Sequence, residues 1–159
     1  MEKAMLTYYK PRLEELRFRE RLLADGETMA YNRAWGGTIP FPEERWADWY
    51  ERWVEADAGQ RWYRYLCDSG AKAFVGEIAY HYDAELPGYL ANVIVFSAYR
   101  GRGYGSRGLE LLCAAAKENG VDVLYDDIAS DNPAAAMFLR HGFAEERRTG
   151  DRIILRRVL

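Results

Sequence analysis

Apolar positions change period several times along the chain, and those changes divide it into elements. A short strand is expected over 5–9. Pro11 suits the first turn of a following helix, because its fixed φ is already helical and no N–H is needed there. That helix runs to about Ala24, with Leu13, Leu16, Leu22 and Leu23 on its apolar side, and Asp25-Gly26 ends it. Residues 28–41, which include Gly36-Gly37 and Pro40, read as irregular. Pro42-Glu43-Glu44 opens a second helix that ends near Ala58-Gly59. Trp46, Trp49, Tyr50 and Trp53 recur along it at helical spacing, a stripe expected to pack in the core, with a substrate-facing wall as its alternative.

Alternation then takes over. Strands are expected over 62–67 and 73–82, joined by Asp68-Ser69-Gly70-Ala71. After Pro87-Gly88 comes a strand over 89–96 that contains the continuous apolar run Val93-Ile94-Val95-Phe96. A helix over 103–119 stops at Gly120. A strand over 121–128, a short helix over 133–141, and a closing hairpin of 143–148 and 152–158 complete the chain. The order β-α-α-β-β-β-α-β-α-β-β carries one strand–helix–strand crossover in its second half, which calls for a parallel pair there. The fold class expected is α/β: a mixed, mostly antiparallel sheet of about seven strands with helices on both faces. No repeat, low-complexity tract or linker interrupts the pattern, so residues 1–159 form a single domain.

Composition narrows the functions open to such a domain. With 159 residues the chain buries a core without disulfides or a structural metal. A net charge of −3 provides no general attraction for nucleic acid or an anionic membrane. There is no run of about 18 apolar residues and no signal-peptide pattern at the start, which points to a cytoplasmic protein that does not enter a membrane. Cys67 and Cys113 lack metal or redox spacing, and His81 and His141 are the only histidines, so no metal site is expected. The aromatic fraction of 14% leaves room for a homodimer.

The chemistry gathers in Arg100-Gly101-Arg102-Gly103-Tyr104-Gly105-Ser106. A helix start presents unpaired N–H groups and the positive end of the helix dipole. Glycines before it allow the backbone to close around an anion, and arginine forks suit phosphate. The bland alternative is a glycine-rich turn with solvated arginines. Gly103-Tyr104-Gly105-Ser106-Arg107-Gly108 is also a literal G-x-G-x-x-G, with Asp126 or Asp127 near the end of the next strand. A dinucleotide fingerprint, however, begins at the end of its strand, and here residues 97–102 intervene. Only about 30 residues follow Ile128, too few for further βα units.

The run Arg100-x-x-Gly103-x-Gly105 resembles the (Gln/Arg)-x-x-Gly-x-(Gly/Ala) motif of the GNAT N-acetyltransferases. Asn132, Phe138 and Gly142-Phe143 are similar to that family's downstream Asn…Tyr…Gly-Phe ending, and the element order matches through most of the chain. The resemblance implies the GNAT-like acyl-CoA N-acyltransferase fold and acetyl-CoA (coenzyme A) as co-substrate. It implies that backbone groups of Val93, Ile94 and Val95 bind the pantetheine arm as a neighbouring strand would, and that amides of Gly101, Arg102, Gly103, Tyr104, Gly105 and Ser106 hold the pyrophosphate. It places Asn132 near the thioester end of the cofactor, although Asn132 also reads as a helix cap before Pro133.

Acyl transfer needs a neutral amine, and an alkylamine like lysine, with a pKa of about 10.4, costs roughly 4–5 kcal/mol to deprotonate at pH 7. A positioned carboxylate takes that proton. In the family's ribosomal-protein alanine acetyltransferases the base is a glutamate five residues before the asparagine; Asp127 stands at that place, acting through water, and Glu77 is the reserve. Its alternative is a structural strand-end carboxylate. Phe138, which the resemblance places at the cofactor, replaces the tyrosine that many members use as an acid; Tyr125, Tyr80 and Tyr82 are substitutes that the sequence does not choose between. The acceptor is expected at residues 31–41, where Tyr31 and Trp35 offer aromatic faces to an amine. The function implied is transfer of an acetyl group to a primary amine of a small molecule or peptide by direct attack in a ternary complex, since Cys113 lies within a helix. The alternative is a non-catalytic acyl-CoA binding or sensing module, motivated by Phe138.

Overall fold

A computed structural model describes residues 5–56 and 59–159, with the side chains of Ala34 and Trp35 outside the description. Its frame is one seven-stranded sheet: β1 (Leu6–Tyr9), β2 (Arg61–Asp68), β3 (Ala73–Asp83), β4 (Gly88–Val95), β5 (Val123–Ala129), β6 (Ala144–Thr149) and β7 (Arg152–Val158), in the spatial order β1-β2-β3-β4-β5-β7-β6. Neighbours are antiparallel except β4 and β5. The parallel pair follows from the crossover between them, which contains α3 (Tyr104–Glu118).

Alternation along the strands separates two cores. Trp62, Leu66, Ile78, Tyr80, Leu124, Ile128, Ile153 and Leu155 pack with α3 and with α4 (Ala134–Arg140). Tyr63, Tyr65, Ala79 and Ile94 pack on the other face with α1 (Arg17–Ala24) and α2 (Trp46–Tyr50). Helices thus cover both faces, as the period changes imply. Gly108 explains how closely α3 lies on the sheet: a Cβ there would stand 2.8 Å from Leu66 Cδ1.

The first third of the chain departs from the expected elements. The helix expected from Pro11 starts as a 3₁₀ turn, Leu13–Leu16, which leaves Leu13 40% exposed while Leu16, Leu22 and Leu23 are buried. The segment expected to be irregular holds a 3₁₀ helix, Thr28–Trp35, closed by Gly36 at φ 103°. Its weak periodicity concealed it, because 3₁₀ turns place side chains in eclipsed rows without a clear apolar stripe. The second helix passes into a π turn, Glu51–Glu55, and ends at extended Ala56; Ala58 lies outside the described residues. Of its aromatic stripe, Trp46 is buried in the core, whereas Trp49 and Trp53 stack on each other beside a cavity. The core reading of the stripe thus holds for Trp46, while Trp49 and Trp53 border open space.

Among the described residues no helix is long and apolar enough to cross a membrane, and no group of three or more His, Cys, Asp or Glu side chains is arranged to hold a metal ion.

Candidate active site

The site begins where β4 and β5 part. Their parallel pairing covers only Tyr89 with Leu124 and Leu90 with Tyr125. Beyond it, β4 stays paired with β3 as far as Val95, and β5 with β7 as far as Ala129. Each strand is held on its outer side and open on its inner side; Ile94, like Phe96, turns its backbone groups toward β3, so those of Val93 and Val95 face a slot rather than a sheet partner. An unpaired edge inside a sheet is a ready template for an extended ligand.

At one end of the slot lies the glycine loop. Gly101 and Gly103 have φ of 79° and 81°, a conformation that costs side-chain-bearing residues but not glycine. A Cβ at either would meet nothing within 4 Å, so the loop borders open space. None of the amides from Gly101 to Ser106 reaches a backbone carbonyl of a described residue; the first helical bond of α3 runs from Arg107 N–H to Gly103 O at 3.1 Å. Gly105 lies against Val95 and the Met137 sulfur of α4, which places this run of free donors at the end of β4.

The side chains of the loop serve the fold instead. The Tyr104 hydroxyl donates to Asp68 in the core, leaving only its amide for a ligand. Arg100 donates to the Thr28 carbonyl at 3.1 Å, and Arg102 stacks over Tyr99 at 5.5 Å. The cradle is accordingly built of amides, with its arginines turned to neighbours. Asp25 fastens it from the other side. Its carboxylate accepts from the Thr28 hydroxyl, from Thr28 N–H at 3.0 Å and from the Ser97 hydroxyl at 2.6 Å, while Ser97 N–H donates to the Thr28 hydroxyl at 2.9 Å. These bonds hold the Asp25 carboxyl below the usual range, those of Ser97 and then Thr28 contributing most. Thr28 is fully buried, so Thr28→Val keeps the shape but strands partners in the network. A loss of about 1–3 kcal/mol in unfolding free energy is expected by urea titration.

At the other end of the slot is a cavity of about 350 Å³ on the α1–α2 side. Trp49, Trp53 and Tyr63 wall it, Leu90, Ala91 and Asn92 of β4 border it, and Glu77, Asp126, Asp127, Arg19 and Arg152 bring charge to it. Glu77 is 1% exposed; it accepts from the Tyr63 hydroxyl and, at 3.4 Å, from the Asn92 amide, and Arg19 Nε lies 3.4 Å away. Burial, followed by the charge of Glu77, drives the Tyr63 phenol well above its ordinary pKa, so it remains a donor. Asp127 is gripped by Arg152, whose Nε and one terminal nitrogen both lie 2.9 Å from a single carboxylate oxygen.

Asp126, which the motif position of Asp127 does not single out, is the third carboxylate of the cavity. It lines the slot with only partial solvent contact, and desolvation, with a smaller push from the charge of Asp127, raises its carboxyl to about 7. A signal was available: Asp126 shares the parity of buried Leu124 and Ile128, and an acid at an apolar position of a strand is unusual.

The remaining expected residues fall at the rim or in the core. Tyr31 has a largely exposed ring, yet burial of its phenol and the charges of Glu77 and Asp126 push it up to about 12. The side chain of Trp35 lies outside the described residues. Asn132 accepts from Ala134 N–H at 2.9 Å at the start of α4, in keeping with its structural reading, and is half-buried. Phe138, expected at the cofactor, is 3% exposed and packs edge-on against Phe143, because the α4 register turns it into the core. Of the substitute acids, Tyr80 is fully buried and bonded by Asn119, and Tyr125 packs against Gly88. Tyr82 is 40% exposed and stacks edge-on with Tyr89. Cys113 is buried, and desolvation raises its thiol to about 11, so it supplies no nucleophile.

The geometry therefore joins a run of free amides, an unpaired strand edge and an acid-bearing cavity along one slot. Comparison with solved structures returns the same architecture. The chain superposes on an acetyltransferase (GNAT family) from Bacillus anthracis with a TM-score of 0.74 and 17% identity, covering 99% of this chain and 97% of that one. It superposes on spermidine N-acetyltransferase from Vibrio cholerae in complex with CoA and spermine with a TM-score of 0.72 and 17% identity, over 97% and 94% of the chains. For PaiA N-acetyltransferase from Thermoplasma acidophilum in complex with coenzyme A the TM-score is 0.69 at 13% identity, over 97% and 99%. No curated protein matches the sequence. Identities this low speak for the fold alone. Membership rests on the family model described as Acetyltransferase (GNAT) family, which matches residues 19–143 and so takes in the glycine loop, β4 and β5 together: the chain belongs to the GNAT family of acetyltransferases.

Proposed function

We propose that this chain transfers an acetyl group from acetyl-CoA to a primary amine of a small molecule or peptide, the amine attacking the thioester directly while both substrates are bound. The observation that carries the reading is the slot between β4 and β5, with six free amides at one end and three carboxylates at the other. Two similar structures are complexes with coenzyme A, which supports the choice of donor.

When bound, acetyl-CoA supplies the activated acyl thioester. The amides of residues 101–106, aided by the α3 dipole, hold its pyrophosphate. The inner edge of β4 takes the pantetheine arm by backbone hydrogen bonds from Val93 and Val95, on either side of Ile94, and Asn132 borders its thioester end. Asp126 receives the proton of the acceptor ammonium: a general base works best with a pKa near the working pH, and burial sets this one at about 7. Asp127, steadied by Arg152, and Glu77, steadied by Tyr63, remain the other carboxylates in reach, and Tyr31, close enough to feel the charges of Glu77 and Asp126, offers a neutral phenol. A thiolate with a pKa near 8.5 leaves without a strong acid, so Phe138 does not prevent turnover.

Calorimetry with acetyl-CoA, followed by thiol release against an amine library, tests the reading. Binding together with steady, amine-dependent release is expected. Tight binding with no acylation of any amine would instead identify a sensing module.

A further inference from the structure

The charges of the acceptor cavity are paired in a way that bears on what enters it. Glu77 has Arg19 at 3.4 Å and Asp127 has Arg152 at 2.9 Å, which leaves Asp126 as the cavity carboxyl that forms no ion pair among the described residues. Such a cavity is close to neutral, poor for a polyamine and good for a ligand that carries both signs.

Arg19 is the more informative cation. Its guanidinium lies over three aromatic rings, 4.3 Å from the centroid of Trp49, 4.7 Å from Phe41 and 5.6 Å from Tyr63. These contacts immobilise the side chain, which is only 16% exposed. Its Nε is sealed from solvent without a hydrogen bond, since the Glu77 oxygen at 3.4 Å is poorly aligned. No described residue accepts from its two terminal nitrogens, and they are not sealed as Nε is. A fixed planar fork with open donors at a cavity wall fits a two-oxygen anion. The stacked rings of Trp49 and Trp53, 5.9 Å apart, supply an apolar wall beside it.

Resting on the acetyltransferase reading above, we infer that the acceptor is an amino-acid-like zwitterion, and that Arg19 receives its carboxylate while the amine faces Asp126. The acceptor's own anion satisfies the fork, and its apolar part lies along Trp49 and Trp53.

The test is a panel of α-amino acids with acetyl-CoA, each paired with its decarboxylated amine and its methyl ester, with spermidine included. The carboxylate-bearing acceptor should exceed both derivatives at least about tenfold in kcat/KM. Arg19→Met retains the unbranched stem in the aromatic cage. It should raise KM for that acceptor at least about tenfold, leave KM of the decarboxylated amine no higher and not alter acetyl-CoA affinity; Arg19→Lys should recover part of the loss. Equal or better use of decarboxylated amines or spermidine by the unaltered protein overturns the inference while leaving the enzyme reading intact. So does an equal rise in both KM values in Arg19→Met. Absence of thiol release with every amine overturns the enzyme reading and this inference with it.

Discussion

Gly103→Asp is expected to weaken acetyl-CoA binding by at least about 100-fold, or about 2.7 kcal/mol, measured by calorimetry. The substitution has room, since a Cβ at residue 103 meets nothing within 4 Å, and its φ of 81° is one that aspartate tolerates better than most residues. The fold should survive with a modest loss of about 1 kcal/mol. The new carboxylate, however, stands among amides whose unpaired N–H groups are left for an anion. Gly150→Asp is the control. It has the same left-handed backbone, φ 58°, and the same open surroundings, but lies in the β6–β7 turn, and it should leave affinity unchanged. Equal effects from the two variants would remove the pyrophosphate from residues 101–106.

The second large effect concerns Asp126. Asp126→Asn should lower kcat by about 10²–10⁴-fold at neutral pH with acetyl-CoA affinity retained. In the unaltered protein, kcat/KM should rise through an apparent pKa of about 7, where the Asp126 carboxyl becomes a base. That limb should vanish in Asp126→Asn and persist in Asp127→Asn. The opposite pattern returns the role to Asp127. Stability should move the other way from activity. A carboxyl raised in the folded state keeps a proton that the unfolded chain releases at about pH 4. It therefore lowers stability progressively as pH rises from about 4 to about 7, and Asn at this position does not. Relative to the unaltered protein, Asp126→Asn should gain about 1–3 kcal/mol between pH 5 and pH 8 in chemical denaturation. The same desolvation that would tune the base would then destabilise the fold, as is common where chemistry requires a charge in a poorly solvated place.

Much of this was legible in advance because its causes are local. Alternation in β2, β3 and β4 reports which face each residue buries, and the seven strands lie within a few residues of their expected bounds. Gly101, Gly103 and Gly105 before an amphipathic helix announce a loop with left-handed backbone and free amides, since both are local properties of the chain. The 3₁₀ helix Thr28–Trp35 was missed because its turns are held from outside, by Asp25, Ser97 and Arg100, and not by its own periodicity. Phe138 was assigned to the cofactor on a motif position, but the register of α4 against Phe143 decides its direction.

Taken by itself, the sequence determined the strand and helix order, the single parallel crossover and the loop that presents its amides, because period, turn residues and glycine placement act over a few neighbouring positions. Only the tertiary structure decided which acid is paired with an arginine, which is desolvated, and which arginine keeps open donors. Asp126 and Asp127 are adjacent and chemically alike, and what separates them is the parting of β4 from β5 on one side and Arg152 on the other. Desolvation and ion pairing depend on groups distant in the chain, so neither could be read until the sheet had brought them together.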